Sequence, residues 1–313
     1  MYIAQAFRFH HELWRYIIGV VIIMVAVIIA QIPFVVALAL EGGFDAAMDE
    51  SGMLKVFDSN LTLFFLLLPF AAGLVAVLFN AKFLHSQPLK TLTTTRKKID
   101  WSRFFFAFIL VAVFTILTTM GYYFAYPEDY QLNFEPTSFL ILLGIAVIFI
   151  PLQTSFEEYM FRGYLMQGIG VFAKNRWVPL FLTSIIFGGL HYFNPEVAQL
   201  GDIIMIHYIG TGFMLGIMTL MDEGLELALG FHAANNLVAA LLITADWTAF
   251  QTESIFKDVS APIASFWDVA IPVFIIYPLF LFIMAKKYGW SNWKNKLFGK
   301  VEKPETLKLS EES

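Results

Sequence analysis

The chain has 313 residues, 58% hydrophobic and only 14% charged, with a formal net charge of −5. Soluble domains carry about 25% charged residues, so this composition excludes an ordinary soluble fold. The absence of cysteine excludes disulfides, thiolate nucleophiles and thiolate metal sites, leaving His, Asp and Glu for any metal.

In chain order, the first residues (Phe7, Phe9, Trp14 among them) read as an interfacial helix or a frayed amphipathic start. The apolar run from Tyr16 to Leu40 is too long for a signal-peptide core of roughly 7–15 residues, so it reads as a retained first span. A span needs roughly 20 apolar residues. Eight such runs follow one another, at about 15–40, 61–83, 104–126, 138–160, 178–195, 203–221, 227–245 and 265–285. Backbone groups in hydrocarbon must be satisfied within the segment, so these are helices. The fold class is all-α: a polytopic membrane protein of about eight transmembrane helices. Its organisation reads as membrane helices over 1–130, a core over 131–250, a last span over 251–290 and a polar tail over 291–313. The tail beyond Gly299 has the composition of a disordered segment. No internal repeat is visible.

The bases alternate by loop. Arg8 and Arg15 flank the first span, and Lys82, Lys90, Arg96, Lys97, Lys98 and Arg103 fill the second connection. Arg162, Lys174 and Arg176 follow the fourth span, and Lys286, Lys287, Lys294, Lys296, Lys300, Lys303 and Lys308 follow the last. These are 18 of the 20 Lys and Arg residues. The alternate loops hold only Lys55 and Lys257 and are acidic instead, with Asp45, Asp49, Glu128, Asp129, Glu196, Asp202, Asp246 and Glu253 among their residues. The positive-inside rule then places both termini in the cytosol of the cell's inner or plasma membrane. One segment is anomalous: Asp222-Glu223-Gly224-Leu225-Glu226 falls on the basic side yet has no base.

Three patterns set acids, bases and an amide inside apolar runs: Glu157-Glu158-x-x-x-Arg162, Phe187-x-x-x-His191 and His232-x-x-x-Asn236. Ionisable groups in a span cost at least about 2.5–3.5 kcal/mol, which marks them as functional candidates. Residues four apart share a helix face. Glu158 and Arg162 can therefore form an intrahelical ion pair, while Glu157 lies on the neighbouring stripe with Gln153 and has no local cation. A carboxylate so placed is suited to general-base work. Small residues around both histidines (Gly188, Gly189, Gly230, Ala233, Ala234) allow close helix approach. Peptide hydrolysis needs an activated water and oxyanion donors. Glu157 can take the water proton and His191 can share or relay it, while His232 and Asn236 can aim donors at the developing oxyanion. A second chemistry stays open, a zinc held by Glu157, His191 and His232 with water in the fourth position. The usual two-histidine helical zinc signature is absent. His207, which has no companion motif, reads as structural.

Together the three patterns resemble the CPBP intramembrane protease family, also called the Abi or CAAX-protease family, over about residues 140–245. The resemblance implies an eight-helix fold whose site opens toward the cytosol. It implies that Glu157 and His191 activate water, that His232 and Asn236 stabilise the oxyanion, and that Glu158, Arg162 and Phe187 support them. Family members have been described both as metalloproteases and as glutamate-type enzymes. The function expected is an intramembrane endopeptidase, with no cofactor firmly implied. Its partners are the bilayer and a peptide or membrane-anchored protein, not nucleic acid. The competing reading is a non-catalytic scaffold or bacteriocin-immunity-type protein. A proton-coupled transporter is disfavoured because no repeat symmetry is visible. Depth poses a difficulty: at about 1.5 Å per residue, His191 lies roughly 20 Å along the fifth span, deeper than Glu157 and His232. A long fourth span and a deep, water-accessible cavity reconcile the three.

Overall fold

The computed structural model describes residues 1–42 and 50–304. The expected loop acids Asp45 and Asp49, and tail residues 305–313, lie outside the described residues. The long helices are α1 (Leu13–Glu41), α2 (Ser59–Leu84), α3 (Trp101–Ala125), α4 (Pro136–Ala173), α5 (Trp177–Gly189), α6 (Met205–Asp222), α7 (Glu226–Leu242) and α8 (Phe266–Tyr288). Among the described residues, six helices are long and apolar enough to cross a membrane. The other two, α5 and α7, are apolar but have 13 and 17 residues. The all-α, multi-pass architecture is therefore as the hydropathy predicts.

Several starts are capped. Asp58 accepts from the backbone N–H groups of Asn60 and Leu61, Asp100 from Ser102, and Glu135 from Ser138 with Pro136 at the first helical position. These caps satisfy N–H groups that a helix start leaves free.

Three boundaries differ from expectation. The fourth span runs past 160 to Ala173, through a π-helical turn at Tyr159–Leu165. Its charges do not end it, because Glu158 and Arg162 are fully buried and paired. The fifth span ends at Gly189 rather than 195. Its Gly188-Gly189 pair is weakly helical, and a Cβ on Gly188 would stand 2.5 Å from the Ile209 side chain. The seventh ends at Leu242 and passes directly into a strand.

The two ends of the bundle differ. At one end β2 (Ile243–Thr244) pairs parallel with β3 (Phe256–Asp258), which pairs antiparallel with β1 (Tyr130–Leu132). This is the acid-rich end; α4 starts there, where Asn60 donates to the Ser138 carbonyl at 2.9 Å. At the other end the base-free hairpin between α6 and α7 collects bases from elsewhere. Arg96 meets Asp222 at 2.6 Å and Glu226 at 3.0 Å, Arg103 meets Asp222, and Lys296 meets Glu223 at 3.5 Å. The Trp290 indole donates to Asp222 at 2.9 Å. The charge anomaly of the sequence is thus a clamp whose cations are distant in the chain.

The two terminal segments pack more tightly than expected. Ile3–Arg8 is a 3-10 helix, and Tyr2, Ile3, Ala4 and Ala6 are buried against the bundle instead of lying on a membrane surface. Beyond Gly299, Lys300 bridges Asn175, and Val301 is 2% exposed with its N–H donating to the Lys174 carbonyl at 3.0 Å, so residues 300 and 301 are held.

Candidate active site within the membrane

Close helix approach sets the site. A Cβ on Gly212 would stand 2.7 Å from the Ser184 carbonyl oxygen, and one on Gly230 would stand 2.1 Å from that of Phe104. Only glycine permits α6 to lie so near α5, and α7 so near α3. The side chains of α4, α5 and α7 then converge, with α6 closing behind them.

The Glu158–Arg162 pair forms as the spacing predicts, at 2.9 Å with both side chains at 0% exposure. Arg162 also donates to the Gly212 carbonyl at 3.1 Å and lies 4.2 Å above the Phe187 ring. Phe187 in turn meets the His191 ring at 4.9 Å and the His232 ring at 6.0 Å. It is the apolar hub that spaces the cation from both imidazoles.

His232 sits between the two glutamates. Its Nδ1 lies 2.8 Å from Glu158 Oε1 and its Nε2 lies 3.4 Å from Glu157 Oε2. A carboxylate oxygen can only accept, so Nδ1 carries a proton and donates to Glu158. At 3.4 Å the second contact is an ion-pair approach without hydrogen-bond geometry, and Glu157 Oε2 is buried with no hydrogen-bond partner. Glu157 has no ion-pair partner on its own helix, as the spacing predicts; its neighbouring imidazole comes from another helix. The remaining oxygen, Oε1, accepts from Gln153 at 2.8 Å, and Gln153 accepts from Asn236 at 3.2 Å. Asn236 is thus linked to Glu157 through one amide.

His191 lies beyond the end of α5, in a turn. Its Nδ1 is 2.8 Å from the Phe187 carbonyl. A carbonyl only accepts, so Nδ1 is the donor and the neutral ring keeps its lone pair on Nε2. The ring stacks on Tyr208 at 4.4 Å, the Tyr208 hydroxyl donates to Glu196 at 2.6 Å, and the Ala249 N–H donates to the other Glu196 oxygen at 3.0 Å. No hydrogen bond joins His191 to Glu157.

Glu157, His191, His232 and Asn236 all line one cavity of about 600 Å³. Phe187 lines it too, while Glu158 and Arg162 stand behind its wall. The depth difficulty resolves as anticipated, through the long α4. Sequence reasoning missed Glu196 and Tyr208, which hold His191 from outside the three patterns. The nearness of Glu196 to His191 in the chain was the one signal available. His207, read as structural, also lines the cavity, 3.4 Å from the Tyr277 hydroxyl. Asn194, Glu196, Thr248, Ala249 and Phe250, from loops at the acid-rich end, complete the wall.

Among the described residues, no three or more His, Cys, Asp or Glu side chains are arranged to hold a metal ion. His232 Nδ1 donates to Glu158 and His191 Nδ1 to the Phe187 carbonyl, so each imidazole presents only its Nε2 to the cavity.

Residues 136–238 match a family model described as type II CAAX prenyl endopeptidase Rce1-like. The match begins at the first residue of α4 and ends just past Asn236. An uncharacterized protein of Bacillus subtilis strain 168, YyaK, is 30% identical over 247 residues, covering 75% of this chain and 79% of that protein. The chain belongs to the Rce1-like family. Its Rce1-like core carries Glu157, His191, His232 and Asn236, while α1, α2, α8 and the segment after α7 supply further cavity wall, and its fold is that of a CAAX-type intramembrane protease in a multi-pass membrane protein. No solved structure gives a significant match to this Rce1-like chain.

Proposed function

We propose that this protein is an intramembrane endopeptidase that hydrolyses a peptide bond with a water activated by Glu157. The observation that carries the reading is Glu157 Oε2, a buried carboxylate oxygen without a hydrogen-bond partner in the wall of a cavity that also holds two imidazoles. An unpartnered buried acceptor is costly unless something occupies it, and water is the occupant hydrolysis needs.

Glu157 takes the proton as water attacks the scissile carbonyl. His191 Nε2, the free lone pair, accepts a hydrogen bond from the same water, takes that water's second proton as the tetrahedral intermediate collapses and delivers it to the leaving amine. His232 and Asn236 stabilise the oxyanion. Asn236 uses one N–H on Gln153 and keeps the other for the substrate. His232 donates through Nε2 when it carries a proton there, and that nitrogen faces the cavity 3.4 Å from Glu157 Oε2. Preorganised donors of this kind contribute about 2.7–4 kcal/mol each to transition-state stabilisation. The Glu158–Arg162 pair fixes His232 from behind.

The test uses purified protein and a library of peptides with apolar C-terminal segments, prenylated and unprenylated. The wild type cleaves; Glu157→Gln, His191→Ala and His232→Ala each lose cleavage while retaining their gel-filtration profile. Full proteolysis by all three variants would refute the assignment. Retained activity after chelator dialysis is expected from a route that passes through no metal.

A further inference from the structure

A second cavity, of about 710 Å³, shares no residue with the first. Segments distant in the chain build it: the 3-10 helix Ile3–Arg8, the connection from α2 to α3, the start of α5 and the stretch after α8. Its wall holds three basic side chains, Arg8, Arg176 and Lys300, beside Thr95, Asn295 and one acid, Glu302. Arg176 is the buried member, its side chain 8% exposed. Its Nη1 donates to the Lys296 carbonyl at 3.2 Å, while its Nε is buried without a hydrogen-bond partner. The carboxylate within ion-pair reach is Glu223, at 3.8 Å, and Lys296 approaches the same Glu223 oxygen at 3.5 Å. Arg8 and Lys300 form no ion pair among the described residues. Positive charge thus exceeds what the nearby carboxylates answer, around a guanidinium withdrawn from water. That state is costly unless an anion joins it.

The surroundings indicate which anion. Arg176 precedes Trp177 in the chain, and Asn295 and Lys300 flank Phe298. The Trp177 and Phe298 rings stack at 5.2 Å and both are exposed. Exposed aromatics beside bases mark the headgroup level of a bilayer. Basic pockets among membrane helices take phosphate headgroups, and a guanidinium matches phosphate oxygens with paired N–H donors. The cavity is larger than a bare phosphate needs and lies within the range of small-ligand sites. We propose that it binds an anionic phosphate carried on glycerol, the headgroup of an anionic phospholipid in the adjoining leaflet. Arg176 takes the phosphate oxygens, Arg8 and Lys300 add charge from the exposed side, and Glu302 and Asn295 accept from the glycerol hydroxyls. A headgroup held here ties both terminal segments to α5. Soluble glycerol phosphate presents the same chemistry, and the test separates the two sources. Nothing in this site depends on hydrolysis at the first cavity.

The full chain, purified in neutral maltoside micelles, is melted with tryptophan fluorescence as the readout. The additions are phosphatidylglycerol, phosphatidylcholine of the same acyl chains, and glycerol phosphate. At saturation phosphatidylglycerol is expected to raise the melting temperature by about 4 °C or more. Phosphatidylcholine, whose phosphate carries its own cation, raises it by under about a quarter of that. Arg8→Gln/Lys300→Gln changes two exposed side chains, so the variant melts as the wild type does without lipid and loses at least about half of the shift. Arg176→Gln abolishes the shift; if that variant does not fold, the double variant carries the test. Lys97→Gln/Lys98→Gln removes the same charge from exposed positions outside the cavity and keeps the shift. An equal shift with phosphatidylcholine, a shift intact in Arg8→Gln/Lys300→Gln, or an equal loss in Lys97→Gln/Lys98→Gln overturns the site. No shift with any addition overturns it as well. A shift with glycerol phosphate alone, abolished by Arg8→Gln/Lys300→Gln, upholds the anion site and overturns the lipid as its occupant.

Discussion

Replacing Arg162 by Met isolates the charge that holds the site together. The guanidinium is fully buried, 2.9 Å from Glu158. At an effective dielectric of about 20, that separation corresponds to about 5–6 kcal/mol of attraction, most of it cancelled by the desolvation of both ions. Removing only the cation leaves the desolvation of Glu158 uncompensated, which costs about 3–5 kcal/mol. The lost bond to the Gly212 carbonyl and the lost stacking on Phe187 add about 1–2 kcal/mol. Arg162→Met is therefore expected to lose about 4–7 kcal/mol. The double variant Glu158→Gln/Arg162→Met, in which no charge is stranded, recovers at least half of that. Unfolding in mixed detergent micelles, followed by tryptophan fluorescence, measures both. A single-variant loss under about 1 kcal/mol, or strict additivity of the two changes, would refute the buried-pair reasoning.

Three other outcomes follow from the structure. Gly230→Ala forces α7 away from the Phe104 backbone and should cost about 1–3 kcal/mol, whereas Gly121→Ala, with nothing within 4 Å, should gain about 0.5–1 kcal/mol; equal melting temperatures would contradict the close-approach argument. His85 is buried, and burial holds its pKa below the usual 6.5, against the opposing effect of its contact with the His10 carbonyl. The folded protein thus resists protonation that the unfolded chain accepts, so stability is intact above about pH 6.5 and declines as pH falls below it; a melting temperature that rises on acidification, or one that His85→Gln leaves equally acid-sensitive, argues against this. Glu196→Ala and Tyr208→Phe should lower kcat by about ten- to a hundred-fold with KM little changed, because they loosen His191 rather than substrate binding; a change confined to KM would assign Glu196 to the substrate instead.

The sequence made the membrane class and its eight apolar helices legible because hydrocarbon imposes a length and a composition on every span. It made Glu157, His191, His232 and Asn236 legible because polar groups in such runs are conspicuous. What escaped it was tertiary. The end of α5 depends on how tightly Gly188 meets Ile209. The extension of α4 depends on its charges being paired inside the protein, where a local reading sees a helix reaching water. His232 bridges both glutamates only because α7 lies against α4, and no spacing within either segment encodes that contact. Tyr208 and Glu196 have ordinary sequence surroundings, and their part in holding His191 is visible only in space.

The hairpin between α6 and α7 bears on how the chain is made. Asp222 and Glu226 meet Arg96 and Arg103, which are translated earlier, but Trp290 and Lys296 reach the hairpin last. A ribosome-bound chain ending before Trp290 holds this turn with only its earlier partners. Nascent chains arrested near residue 285 should therefore be cut readily between α6 and α7 by added protease. Resistance should arrive as a single step once residues 290–301 emerge, making that segment the latch on an otherwise assembled helical core.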